Sequence, residues 1–128
     1  MAKSGGGSGR GGGGGRASSP DAIAARLTAL GGNRWTKGSE DRIYFDRETI
    51  AELGGLRTQR YRSGNISSAT LRGDSISNRA ARDLIESMPK TAYYDLARNT
   101  LVLRDGSLRG ATSQQFQSRV RAAVAARR

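Results

Sequence analysis

The residues with the clearest chemistry lie in one stretch. Arg57, Arg60, Tyr61, Arg62 and Arg72 crowd around Ser63-Gly64-Asn65-Ile66-Ser67-Ser68. A guanidinium is a planar fork of donors that grips a phosphate through paired hydrogen bonds. An adjacent aromatic ring offers a base a face to stack on, so the combination suits nucleic acid. Gly64, Asn65, Ser67 and Ser68 add backbone and hydroxyl donors for an anion. The plainer alternative is an exposed edge strand whose arginines discourage pairing with another chain. A second basic group closes the sequence. No acid follows Asp105, yet Arg109, Arg119, Arg121, Arg127 and Arg128 do. Cations near a helix C-terminus are favourable in themselves, so part of this cluster needs no ligand.

Composition extends the same theme. The 128 residues carry 22 basic and 11 acidic side chains, a net charge of +11. Only Lys3, Lys37 and Lys90 are lysine. High-GC coding accounts for arginine over lysine, but not for the shortage of acids. The balance favours a polyanionic partner: nucleic acid, DNA or RNA, or else an acidic host-protein surface.

Histidine and cysteine are absent. This removes the commonest general base, the commonest metal ligands and every Ser–His or Cys–His arrangement. The acids are scattered; Glu40-Asp41 reads as a turn, and no pair has nuclease-like spacing beside a lysine. Arg42 with Ser67-Ser68 suggests an ADP-ribosyltransferase only until the paired-glutamate motif is sought and found missing. The expectation is a non-enzymatic protein with no catalytic residues, cofactor or metal. Arg72-Gly73-Asp74 and the sequon Asn65-Ile66-Ser67 are short matches that matter only outside the cell. No apolar run approaches the roughly 20 residues that span a bilayer, and nothing resembles a signal peptide. The chain reads as soluble and cytoplasmic, with no membrane partner.

The elements that must position these groups follow from local signals. Residues 1–18 form a glycine-rich arm with Lys3, Arg10 and Arg16, which lacks apolar surface to bury and is expected to be disordered. Its single Arg-Gly-Gly is the tripeptide of RNA-binding tails, but a spacer with incidental charge explains it more readily. Residues 19–128 are expected to form one basic domain. Ser19-Pro20-Asp21 starts a helix with Ile23, Leu27 and Leu30 on one face, and Gly31-Gly32 ends it. Trp35 lies on the first strand of a hairpin, Lys37-Gly38-Ser39 turns it, and Arg42 to Phe45 returns. Asp46 caps a second helix that Gly54-Gly55 stops.

The segment from Leu56 to Gly73 is ambiguous between short strands and an ordered loop, with Ile66, Ala69 and Leu71 as anchors. Ser75 or Ser77 caps a third helix with Ala80, Ala81, Leu84, Ile85 and Met88 as its apolar face, stopped by Pro89. Tyr93 to Leu103 forms a hairpin around Arg98-Asn99, and Asp105-Gly106 turns the chain again. Thr112 with Gln115 is a capping box for a last helix carrying Phe116, Val120 and Val124. Trp35, Phe45 and Phe116 are expected in the core; Tyr44, Tyr61 and Tyr93 are expected to be exposed. More than twenty residues separate the second and third helices, which excludes a helix-turn-helix. The fold class is therefore α+β: about four helices on short antiparallel strands.

Gly31-Gly32-Asn33-Arg34-Trp35-Thr36-Lys37, Asp41-Arg42-Ile43-Tyr44-Phe45 and Gly64-Asn65-Ile66-Ser67-Ser68-Ala69 together resemble segments of small uncharacterised proteins of phages and mobile elements. Those proteins also begin with Gly/Ser/Arg-rich tails. The resemblance covers about half of the chain and implies no catalytic residues. It implies an accessory protein that binds nucleic acid or inhibits a host protein or nucleoprotein complex; a minor virion component is the third alternative.

Overall fold

Caps set the helix starts. In the computed structural model, which describes residues 19–104 and 110–126, helix α1 (Pro20–Ala29) begins where Ser19 Oγ accepts from the Ala22 amide at 3.1 Å. Asp46 accepts from the Thr49 amide at 2.8 Å to open α2 (Arg47–Leu53). Ser77 accepts from the Ala80 amide at 3.0 Å to open α3 (Asn78–Ser87). Each cap satisfies an amide that the first helical turn leaves without an internal partner. The arm at 1–18 and the turn expected at Asp105-Gly106 lie outside the described residues.

Among the described residues, seven strands make two antiparallel sheets. Strands β1 (Asn33–Lys37), β2 (Glu40–Phe45), β6 (Thr91–Asp95) and β7 (Thr100–Arg104) form one in the order β1-β2-β6-β7. Strands β3 (Leu56–Arg60), β4 (Ile66–Leu71) and β5 (Asp74–Ile76) form a three-stranded meander, which resolves the ambiguous segment as strands. α1 packs on β1 and β2, α3 packs on β4, and α2 touches β3, α3 and the last helix, α4 (Ala111–Ala125). One apolar cluster joins the sheets: Ile43 and Phe45 from the first, Leu56 and Ala69 from the second, and Leu27, Ile50, Ala81 and Phe116 from the helices. The Phe45 and Phe116 rings meet edge to face at 5.5 Å, a favoured geometry for the ring quadrupoles.

Four expectations need correction. Trp35 is 49 % exposed rather than in the core. β1 is an edge strand, and the residues two away from Trp35, Asn33 and Lys37, are polar. No apolar stripe therefore existed to draw the indole inward. Tyr93 is 3 % exposed rather than open, because the Arg42 guanidinium lies 4.5 Å over its ring and the Tyr44 ring packs beside it. Ala80 is exposed; the apolar stripe of α3 runs through Ala81, Leu84, Ile85 and Met88. Thr112 is not the α4 cap. The helix begins at Ala111 behind Gly110, and buried Thr112 presses against Gly54, where an added Cβ would overlap its methyl and carbonyl groups.

Candidate nucleic-acid interface

The three-stranded sheet sorts its arginines by what they already hold. Arg72, in the turn between β4 and β5, takes a left-handed backbone (φ 49°), and its side chain lies back against Gly55. Its Nη1 donates to the Gly54 carbonyl at 3.3 Å and the Thr112 hydroxyl at 3.2 Å, while its amide donates to the Gly55 carbonyl at 2.9 Å. It fastens the sheet to the end of α2 and the start of α4. Arg57 donates to the carbonyls of Glu52 and Leu56 at 2.9 and 2.8 Å. Arg60 pairs with the Glu48 carboxylate at 2.9 Å and donates to the Gly64 carbonyl at 2.6 Å. Glu48 and Glu52, one turn apart on α2, thus stand beside the two β3 arginines. Partial burial raises the Glu52 carboxyl above its ordinary range, the charge on Glu48 pushes it further, and Arg57 opposes both.

The turn between β3 and β4 is different. Tyr61 is 62 % exposed, and Arg62 has no hydrogen-bond or ion-pair partner among the described residues. The turn is held by its own backbone: the Tyr61 amide donates to the Asn65 carbonyl and the Gly64 amide to the Tyr61 carbonyl, both at 2.9 Å. Gly64 supplies the left-handed residue this reversal needs (φ 97°). Both side chains therefore project from a preorganised base. Beside the turn lies a groove of about 380 Å³ between it and α3, lined by Arg60, Asn65, Ile66, Asn78 and Arg82 among others. Arg82 also has no partner among the described residues. Sequence reasoning placed it on a solvated helix face and missed it. The signal was its fourth position after Asn78, which puts both polar groups on one side of α3. Glu86 adds one carboxylate to the same rim.

The C-terminal arginines divide. Arg119 meets Arg57, Thr49 and Glu52 around a second groove of about 340 Å³. Arg121 donates to the Gln117 side chain at 3.3 Å within its own helix. Arg127 and Arg128 lie outside the described residues. The structure thus brings Arg57 to Arg119, and Arg60 to Arg82 beside Tyr61 and Arg62. It keeps Arg72 for the fold. Among the described residues no group of three or more acids or other ligating side chains could hold a metal ion, and no helix is long and apolar enough to cross a membrane. No protein-family model, curated protein or solved structure matches the chain.

Proposed function

We propose that the protein binds nucleic acid without catalysis, as a phage or mobile-element accessory protein acting inside the host cell. The observation that carries the reading is the rigid β3–β4 turn, which presents an exposed ring and an unpaired guanidinium beside the Arg82 groove. Arg62 and Arg82 contact phosphates, Arg60 reinforces them from the groove wall, and Tyr61 stacks on a base. These contacts fall on phosphates and on a base face, which carry little sequence information, so binding is largely independent of sequence and falls with salt as counterions are released.

The test is fluorescence anisotropy with labelled single-stranded DNA, RNA and duplex DNA over a salt series. The native chain is compared with Arg62→Ala/Arg82→Ala and with a full-length chain whose Lys3, Arg10 and Arg16 are serine. Loss of affinity in the double variant, with a salt slope shallower by about two, supports the turn as the interface. An unchanged double variant alongside a non-binding arm variant moves binding to residues 1–18. If none of these nucleic acids binds at low salt, the reading fails. A stoichiometric host-protein complex that survives nuclease then becomes the outcome to seek.

A further inference from the structure

The four-stranded sheet turns a second surface away from the core. Strand alternation and register put Trp35, Arg42, Tyr44 and Tyr93 on one face, because Trp35 pairs with Arg42 and Tyr44 with Tyr93. The helix contacts of this sheet lie on its other face, where α1 meets β1 and β2 and Phe116 reaches Phe45. The open face is built from stacked planar groups. The Tyr44 and Tyr93 rings sit 5.0 Å apart. The Arg42 guanidinium lies 4.5 Å over the Tyr93 ring and donates to the Tyr44 hydroxyl at 3.0 Å. Its Nε is buried with no hydrogen-bond partner among the described residues, so packing against the ring fixes the group. The Trp35 indole stands beside this stack, half exposed.

The charge of the face is arranged along a diagonal. The register puts Lys37 at one corner, opposite Glu40, and Arg104 at the far corner, opposite Thr91. Neither cation has a partner among the described residues. Strand spacing and residue rise put these corners roughly 24 Å apart, with the planar groups between them. The acids on this face are engaged. Glu40 sits 3.6 Å from Arg42 and 3.4 Å from the Trp35 indole nitrogen. Buried Asp95 accepts the amides of Ala97 and Arg98 at 3.0 and 3.1 Å.

We infer that this face binds a single strand of nucleic acid, with a base stacked on Trp35 and phosphates at Lys37 and Arg104. The inference rests on the nucleic-acid reading above and names the form recognised. A duplex hides its base faces, whereas a single strand can lay about two or three bases across a four-stranded sheet. Arg42 continues the platform, since a guanidinium plane stacks on bases as an aromatic ring does.

Trp35 is the sole tryptophan, so its emission reports on this face alone. The full chain is titrated with a short oligothymidylate, the matching oligouridylate and a duplex of equal length, following tryptophan emission and anisotropy together. The expected result is quenching that saturates with the anisotropy for both single strands and is absent with duplex. Trp35→Ala then weakens single-strand binding roughly fivefold to a hundredfold, while Trp35→Phe retains most of it. Both variants keep the native melting temperature, because the indole lies on an exposed edge. Anisotropy binding with unchanged emission, or with Trp35→Ala binding as the native chain does, overturns the inference and leaves the β3–β4 turn as the interface. Absence of all binding at low salt overturns both.

Discussion

The two sheets share a core but differ in how they hold charge on their open sides. The four-stranded sheet packs Arg42 between Tyr44, Tyr93 and Glu40, so cation and rings form one rigid surface. The open face of the three-stranded sheet carries Arg57, Gln59, Ser68, Thr70 and Ser75, with no ring among them. Its free cation and aromatic group sit instead at the tip of one turn, as Arg62 and Tyr61. The difference separates two uses of arginine that look alike in a sequence. Arg57, Arg60 and Arg72 have donors engaged by the fold, and Arg42 is held against Tyr44, Tyr93 and Glu40; Arg62 and Arg82 have no such partner among the described residues.

Both sheets contribute to one apolar cluster and should unfold as one cooperative unit, which the largest predicted effect tests. Phe116 is fully buried against Phe45 of the four-stranded sheet, in the cluster that also holds Leu56 of the other. Phe116→Ala should cost about 3–5 kcal/mol and Leu56→Ala about 2–5 kcal/mol. Each should give a single denaturant transition. Two transitions in either variant, followed by circular dichroism and Trp35 emission, would show that the sheets unfold separately.

The next effect separates the two kinds of arginine. Arg72→Ala strands the buried Thr112 hydroxyl and removes a tie across α2 and α4. It should lower stability by about 1–3 kcal/mol while barely changing nucleic-acid affinity. Arg62→Ala should do the reverse, with stability within about 0.5 kcal/mol of native and a salt slope shallower by about one. Equal losses of affinity in the two variants would erase the distinction.

Acid provides a smaller effect with a defined sign. Arg34 binds Asp41 through two hydrogen bonds at 2.9 and 2.8 Å, which hold the Asp41 carboxyl below its ordinary range. A carboxyl depressed in the folded state stabilises above its unfolded value, about 3.9, and loses that contribution as the pH falls through the folded value. Asp41→Asn should therefore melt below the native chain at neutral pH and converge with it in acid. Glu52 has the opposite sign. Its raised carboxyl costs stability in full above the folded value, and the cost vanishes as the pH falls below the unfolded one. Thermal melts of both asparagine and glutamine variants across this range check the two signs.

Local chemistry was legible in the sequence where neighbours in the chain determine it. Ser19 and Asp46 cap as read, Ser77 rather than Ser75 caps α3, and the strand phase of Ile43 and Phe45 is borne out by their burial. What depended on distant partners was not legible. Arg72 looks in sequence like any member of the basic segment, because Thr112, its partner, lies forty residues away. Tyr93 could be placed only once β2 was known to lay Arg42 and Tyr44 against its ring, and Arg82 only once α3 stood beside the Gly64 turn. Charge was readable; whether a charge was already paired was not.

Arg60 lies between the two classes, and the smallest predicted effect concerns it. Its guanidinium lines the Arg82 groove yet is paired with Glu48, and both side chains are more than a third exposed. An ion pair that open to solvent contributes about 0.2–1 kcal/mol. Glu48→Gln should cost no more than that in stability, but it frees a cation at the edge of the proposed interface. Affinity for single strands should then rise modestly at low salt, with the salt slope steeper by up to about one. The gain should vanish in Glu48→Gln/Arg60→Ala, because the benefit passes through Arg60. If Glu48→Gln instead raises affinity equally with and without Arg60, the carboxylate acts only through the general field of the surface, and Arg60 belongs with Arg72 among the arginines that serve the fold.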